Sequence, residues 1–570
     1  MANISYGYNR KRPRTQIFLD ASGLGAANTQ SEKPLILIGS ATGGKPHEPV
    51  ELSNFSQAKE IFRGGELLDA IEMAWNPSMY TGGAGRLYAI RSDAAKQATL
   101  TDGAYTFTSR LYGADANGIQ ISLSDNVLTD SKRLGVYFTK ERYERVYDNL
   151  GNIFSVQYEG DKAVATLEVT VDATTKLASQ LILKVGDTDQ NTTAVRTYDL
   201  GQGIYKDVNV LVNDINNLPD FKAQMNGASG SKTIYTQFLD KQAPVDVKTA
   251  PKMVKAIAAD IANQLSTNPY VELQVDFTKQ APATIQVTNL SGGTTEPAPA
   301  SWADLFKKVA DLGAYYIVPL TSSEAIHAEL SHFLSSESNS GDHLRAFVGG
   351  GYKETLGELQ ARQMNLRNPR VSVVGDSVVR RMSDGRVYNA PGYMYAALVG
   401  GIASGLPVGE PVTYKKVNVE ALDTKFSDDQ LDQLDATGVI MTEFVRNRTG
   451  STFRIVSDPT TYNRVDEPVQ NRVSLGEVSD FLTTELRTML DDNFIGTRLR
   501  NTSASIIKNA IESFLDRQKN VNGLIVDYNP EDVQVVIVGN VATINVAVQP
   551  ARGLDYINVY LTYEDNKLQA

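Results

Sequence analysis

The sequence predicts an α+β multidomain protein: an α/β core domain with β-rich insertion domains, and an α+β C-terminal module with terminal linking strands. Three observations carry this. Buried-strand patterns alternate with helical patterns up to residue 92 and resume at residue 301. The residues between are dominated by short alternating runs. The chain then closes with two one-faced helices followed by strands. At 570 residues it exceeds one compact core, and the length alone argues for roughly three to four domains.

Taken in order, residues 1–30 are rich in Gly and Asn, and Ile4, Tyr6 and Tyr8 alternate with Ser5 and Gly7 as a short strand would, which reads as an N-terminal arm. PLILIG at 34–39 is a buried strand, 55–62 and 67–75 carry helical patterns, and a strand follows at 86–91. After the gap, WADLFKKVADLG, AYYIVPL, EAIHAELSHFL, LRAFVGG, TLGELQARQMNL and RVSVVG continue the alternation. Segments 31–92 and 301–390 therefore form one discontinuous α/β domain, and 93–300 is an insertion. Its runs at 119–123, 166–171, 181–185, 271–277 and 285–289, with helical stretches at 208–217 and 251–265, suggest two domains projecting outward, because an insertion must leave and re-enter its host at nearby points. SGGTTEPAPAS at 291–301 reads as the returning linker.

Residues 391–553 read as the C-terminal module. Its first helix, 392–403, is small and apolar. In the next, Leu475, Val478, Phe481, Leu482, Leu486 and Met489 recur at helical spacing, with Glu477, Asp480, Thr484, Arg487 and Asp491 opposite. A second one-faced helix carries Ile506, Ile507, Ala510, Ile511, Phe514 and Leu515, with Thr502 or Ser503 as its cap and Gly523 as its stop. Two strands joined by Gly539 and Asn540 form a hairpin. Residues 549–553 read as a linker to a C-terminal arm, 554–570, in which Ile557, Val559 and Leu561 alternate, free to extend another subunit's sheet.

Composition narrows the function. With 42% hydrophobic and 21% charged residues the chain is that of a globular protein, and its polar start and the absence of a long apolar run predict neither a signal peptide nor membrane insertion. The lack of cysteine removes disulfides and thiolate chemistry and suits assembly in a reducing cytoplasm. A net charge of −11 argues against nucleic acid as a partner, and the basic run Arg10, Lys11, Arg12 and Arg14 has no aromatic platform beside it.

No catalytic, cofactor-binding or metal site is expected. Gly39, Gly44 and Lys45 match a phosphate-binding loop, but Pro46 stands where the magnesium-binding hydroxyl belongs, and Pro49 blocks the helix that would hold phosphate. His327 and His332 are five apart and do not share a helix face as a zinc pair would. No Gly-x-Ser-x-Gly elbow occurs, and carboxylates such as Asp428, Asp429, Asp491 and Asp492 read as solvated.

Several segments together resemble the contractile tail sheath proteins of myophages and related injection machines: PVELSNFSQAKEIF, YGADANGIQISL, LDQLDATGVIMTEFV, the helices at 475–491 and through Asp516, and GNVATINVAVQPARGLDYINVYLTYE at the end. The resemblance implies a virion structural protein, not an enzyme. It would polymerise as stacked hexameric rings into a helical polymer around the tail tube, and contract to drive the tube through the host envelope during genome ejection. Its partners would be copies of itself, the tail tube protein, and the baseplate and tail terminator proteins; it would be assembled in the host cytoplasm and reside in the virion tail. The resemblance also implies an inner-domain helix that holds the tube, a role that carries over to Glu477, Asp480, Thr484 and Arg487, although that face mixes signs. The rival reading is a tail or envelope adhesin that binds glycan or receptor through the β-rich insertion.

Overall fold

The computed structural model describes residues 33–226, 234–447, 450–462, 467–497 and 503–553. The two arm sets, Ile4, Tyr6 and Tyr8 and Ile557, Val559 and Leu561, lie outside the described residues.

A seven-stranded sheet organises the body, in the order Pro49–Leu52, Leu87–Arg91, Leu35–Gly39, Tyr316–Pro319, Arg345–Gly349, Val371–Val374 and Val439–Ile440. All pairings are parallel except that of Pro49–Leu52 with Leu87–Arg91. Side chains alternate across a strand, so the apolar run of Leu35–Gly39 serves two cores. Leu35 and Leu37 face one cluster, with Leu67, Ile71 and the helix Gly392–Gly405. Ile36 and Ile38 face the other, with Phe306, Leu330, Leu359 and Leu434 from four further helices. The result is a helix–sheet–helix sandwich.

The body extends past the expected boundary at residue 390. Val439–Ile440 is its seventh strand, and Gly392–Gly405 packs against its sheet. The reason is that this helix is apolar on every side and must be buried all round. It packs tightly at Gly401, where a Cβ would meet Ala74 O at 2.3 Å. The separate C-terminal core is correspondingly small: it joins Ala504–Arg517 and the far half of a long helix, Val473–Phe494, to the strands Ile525–Tyr528 and Val548–Pro550 and the hairpin Gln534–Val538 with Val541–Asn545. Ser503 is the N-cap of Ala504–Arg517 but makes no side-chain capping bond.

The segment between Asp93 and Pro299 leaves and returns on paired strands, Ala94–Asp102 and Thr294–Glu296. It contains two cores, and one is nested in the other. Residues such as Phe107, Ile121 and Val136 join Ile261 and Val271 in the outer unit. Phe154, Leu167, Leu183, Tyr198 and Val254 fill the inner one. Because the chain departs after Leu87–Arg91 has run its length, this appendage sits at the end of the sheet where the parallel strands finish.

Candidate functional site

The opposite edge, where the parallel strands begin, is crossed by the long helix Val473–Phe494. Asp458 starts that helix: its backbone carbonyl accepts from Val473 N at 2.9 Å and its carboxylate from Ser474 N at 3.0 Å, a remote cap on donors that lack partners within the helix. Burial pushes the Asp458 carboxyl up from its ordinary pKa, against the hydrogen bonds from Ser474.

One and two turns further on, two carboxylates are sunk into the body. Glu477 is 2% exposed and takes Lys33 Nζ at 3.0 Å on both oxygens, the backbone N–H of Gly409 at 2.8 Å and the hydroxyl of Tyr316. Asp480 Oδ2 accepts from Tyr315 at 2.8 Å, Arg345 Nε at 2.9 Å and Arg370 Nη1 at 2.5 Å, and His343 stands 3.8 Å from Oδ1. Lys33, Tyr315, Tyr316, Arg345 and Arg370 all lie at or just before the first residue of a sheet strand, so the parallel strands themselves line up the partners.

The electrostatics follow from burial and charge together. Burial alone would raise the Asp480 carboxyl, but Arg345 and Arg370 outweigh it and hold its pKa below the usual carboxylate range. Burial first, then the neighbouring carboxylates, pushes Tyr315 and Tyr316 well above the ordinary phenol value, so both stay protonated donors. Burial likewise lowers His343, against the pull of Asp480. Removing two carboxylates from water is costly, and the offset comes from the donors and cations around them: both oxygens of Glu477 and Oδ2 of Asp480 are hydrogen-bonded, and His343 is the neighbour of Asp480 Oδ1. This is a clamp that fixes the helix in one position and register.

The sequence expectation of one continuous partner-facing surface therefore needs correction. Glu477 and Asp480 are sealed inside the subunit by strand-start cations; Thr484 is half-buried, and Arg487 is exposed, with Nη2 donating to Gly341 O at 3.3 Å. Helical periodicity picked out the polar face and assigned it to partner contact, because the compensating cations are more than a hundred residues away in sequence, or more than four hundred for Lys33. The available signal was the placement of a cation at the head of three buried strand patterns: Lys33, Arg345 and Arg370.

Two further sequence candidates, Lys45 and His327, have local partners. Lys45 is exposed and pairs with Glu48 at 2.6 Å, and the strand Pro49–Leu52 follows its turn where a phosphate loop needs a helix. His327 is buried, with Nε2 against Thr321 O at 2.9 Å, and burial, then the Arg362 charge, lowers its pKa to about 3. Among the described residues there is no group of three His, Asp or Glu able to hold a metal, and no helix long and apolar enough to cross a membrane.

Comparison with known proteins gives end-to-end matches. A relative from Enterococcus phage phiEF24C, named a tail sheath protein, is 49% identical over 98% of both chains, and the tail sheath protein of Staphylococcus phage Twort is 42% identical over 98% of both. The sheath tail protein of Desulfitobacterium hafniense, a solved structure only 12% identical, shares the fold with a TM-score of 0.54 over 95% of this chain and 96% of that one. No protein-family model matches the chain.

Proposed function

The chain belongs to the phage tail sheath proteins, and from that premise we propose that it polymerises as stacked hexameric rings around a tail tube and contracts to drive the tube through the host envelope. Identity of nearly one residue in two along the whole length to a protein named as a tail sheath carries the reading. It is a structural role with no catalytic step.

The architecture supports a division of labour. The nested insertion leaves from the strand-end edge and the C-terminal module hangs from the strand-start edge, so the two point to opposite sides of the central sheet. We assign the C-terminal module to the inner, tube-facing side, where Thr484 and Arg487 are available for contact, and the insertion to the outside. Ile4, Tyr6, Tyr8, Ile557, Val559 and Leu561 would add their strands to sheets of neighbouring subunits. Contraction requires rigid bodies that exchange one set of contacts for another of lower free energy while staying linked. The clamp at Glu477 and Asp480 would keep body and module rigid as they turn.

The testing experiment is sedimentation of the purified full chain, with electron microscopy of the pellet. Long tubular polymers are the expected result. A monomer that stays in the supernatant and binds glycan through its insertion would replace this reading with the adhesin.

A further inference from the structure

A cavity of about 420 Å³ opens at the strand-end edge, beside the residues that follow Val371–Val374 and Val439–Ile440. Phe426, Phe444 and Phe453 line it, together with the polar residues Asp376, Thr424 and Thr442. Asp376 is 1% exposed; its Oδ2 accepts the Thr442 N–H at 2.6 Å, but its Oδ1 has no hydrogen-bond partner. The Thr424 hydroxyl is also buried and unpartnered. Two unsatisfied polar atoms in one aromatic-lined cavity are unusual, since each forfeits its hydration without replacement.

Glu477 and Asp480 are as deeply buried as Asp376, and each has its own cations. Asp376 has none of the resolved ion pairs, and burial, offset in part by Thr442, pushes its carboxyl up to about 7. A carboxylate in such a place must take a proton or a counter-charge. We propose that this cavity binds an amphipathic cation, an ammonium or guanidinium head on an apolar stem, with the head on Asp376 Oδ1 and Thr424 Oγ1 and the stem among the phenylalanine rings. A charge-assisted hydrogen bond fills the vacant acceptor, and the ring faces favour the positive end of the ligand. Other charged or titratable groups facing the site are Lys425, Asp428 and Glu443 on the lining, the last paired with Arg454, and Tyr395 from the core side. The cation requires the ionised acid, so affinity rises with pH through the Asp376 transition.

The test uses the full chain and two isosteric probes, benzylammonium and benzyl alcohol, followed by titration calorimetry at pH 6 and pH 8. Saturable benzylammonium binding is expected, at least about tenfold tighter than the alcohol at pH 8 and with a smaller margin at pH 6. Asp376→Asn should erase the preference while thermal unfolding stays cooperative; if that variant does not fold, Thr424→Val should weaken benzylammonium severalfold. Equal binding of both probes, no binding, or a preference that survives in Asp376→Asn overturns the proposal. Once binding is seen, sedimentation with saturating benzylammonium separates the sources of the cation: suppressed polymerisation assigns the site to a Lys or Arg side chain of a second copy, and unchanged polymerisation assigns it to a free small cation.

Discussion

At the strand-end edge the insertion is joined to the body by two paired strands, one buried ion pair and the side chain of Arg63, which pairs with Glu141 and lies over the Phe138 and Tyr270 rings, whereas at the strand-start edge the C-terminal module is joined by a helix that belongs to both. In the first case Arg91 donates to Asp93 at 2.9 and 2.6 Å and to Gly44 O at 3.0 Å, and Asp93 takes the Ala41 N–H at 3.0 Å; the two insertion cores are otherwise complete in themselves. In the second, Val473 and Leu475 lie in or beside the body, Glu477 and Asp480 anchor to strand starts, and Leu482, Leu486 and Met489 pack into the small distal core. An appendage with its own cores can be removed. A shared helix cannot, because each side loses part of its interior.

Asp480→Ala should weaken the strand-start junction most, because it strands Arg345 and Arg370 without a counter-charge. It should cost about 3–5 kcal/mol, as removal of one partner of a buried pair does. Denaturant unfolding followed by tryptophan fluorescence reads it, since Trp75 and Trp302 both sit in the body. Gly476→Ala probes the same fit with all charges kept: its Cβ would fall 2.0 Å from Arg345 Nη2, and displacing that bonded guanidinium should cost about 1–3 kcal/mol in the same assay.

Acid separates the clamp from ordinary packing. Asp480 has its folded pKa below the unfolded value of about 3.9, so its contribution is full above that value and is lost as pH falls through the folded pKa. Stability below about pH 4 should therefore fall less steeply in Asp480→Asn than in the unaltered chain, measured by thermal unfolding across pH. Replacing residues 94–296 with a short linker should leave the body soluble, with its tryptophan-detected transition cooperative and moved by no more than about 1 kcal/mol. Aggregation of that variant would mean that the insertion completes the body. Lys45→Ala should change neither unfolding nor polymerisation, because the Lys45–Glu48 pair is open to solvent.

What the sequence disclosed was local in origin. The alternation of Leu35, Ile36, Leu37 and Ile38 announces a strand buried on both faces, and the 3.6-residue stripes at Leu475–Met489 and Ile506–Leu515 announce the terminal helices. Helix Gly392–Gly405 was visible as apolar but assigned to the wrong body, since periodicity says how much of a helix is buried and not against what. The nesting inside the insertion was hidden for the same reason: strands 152–158 and 252–255 pair across nearly a hundred residues. The clamp joins Lys33 to Glu477 and was the least legible, because its charges balance only in three dimensions.

If subunits polymerise through donated terminal strands, as proposed, those ends are dispensable for folding and required for assembly. Electron micrographs of the chain truncated after Gly553, beside the full chain, test it most directly. Tubes from the full chain and dispersed, folded subunits from the truncated one are expected; tubes formed equally well by the truncated chain would rule out donated ends.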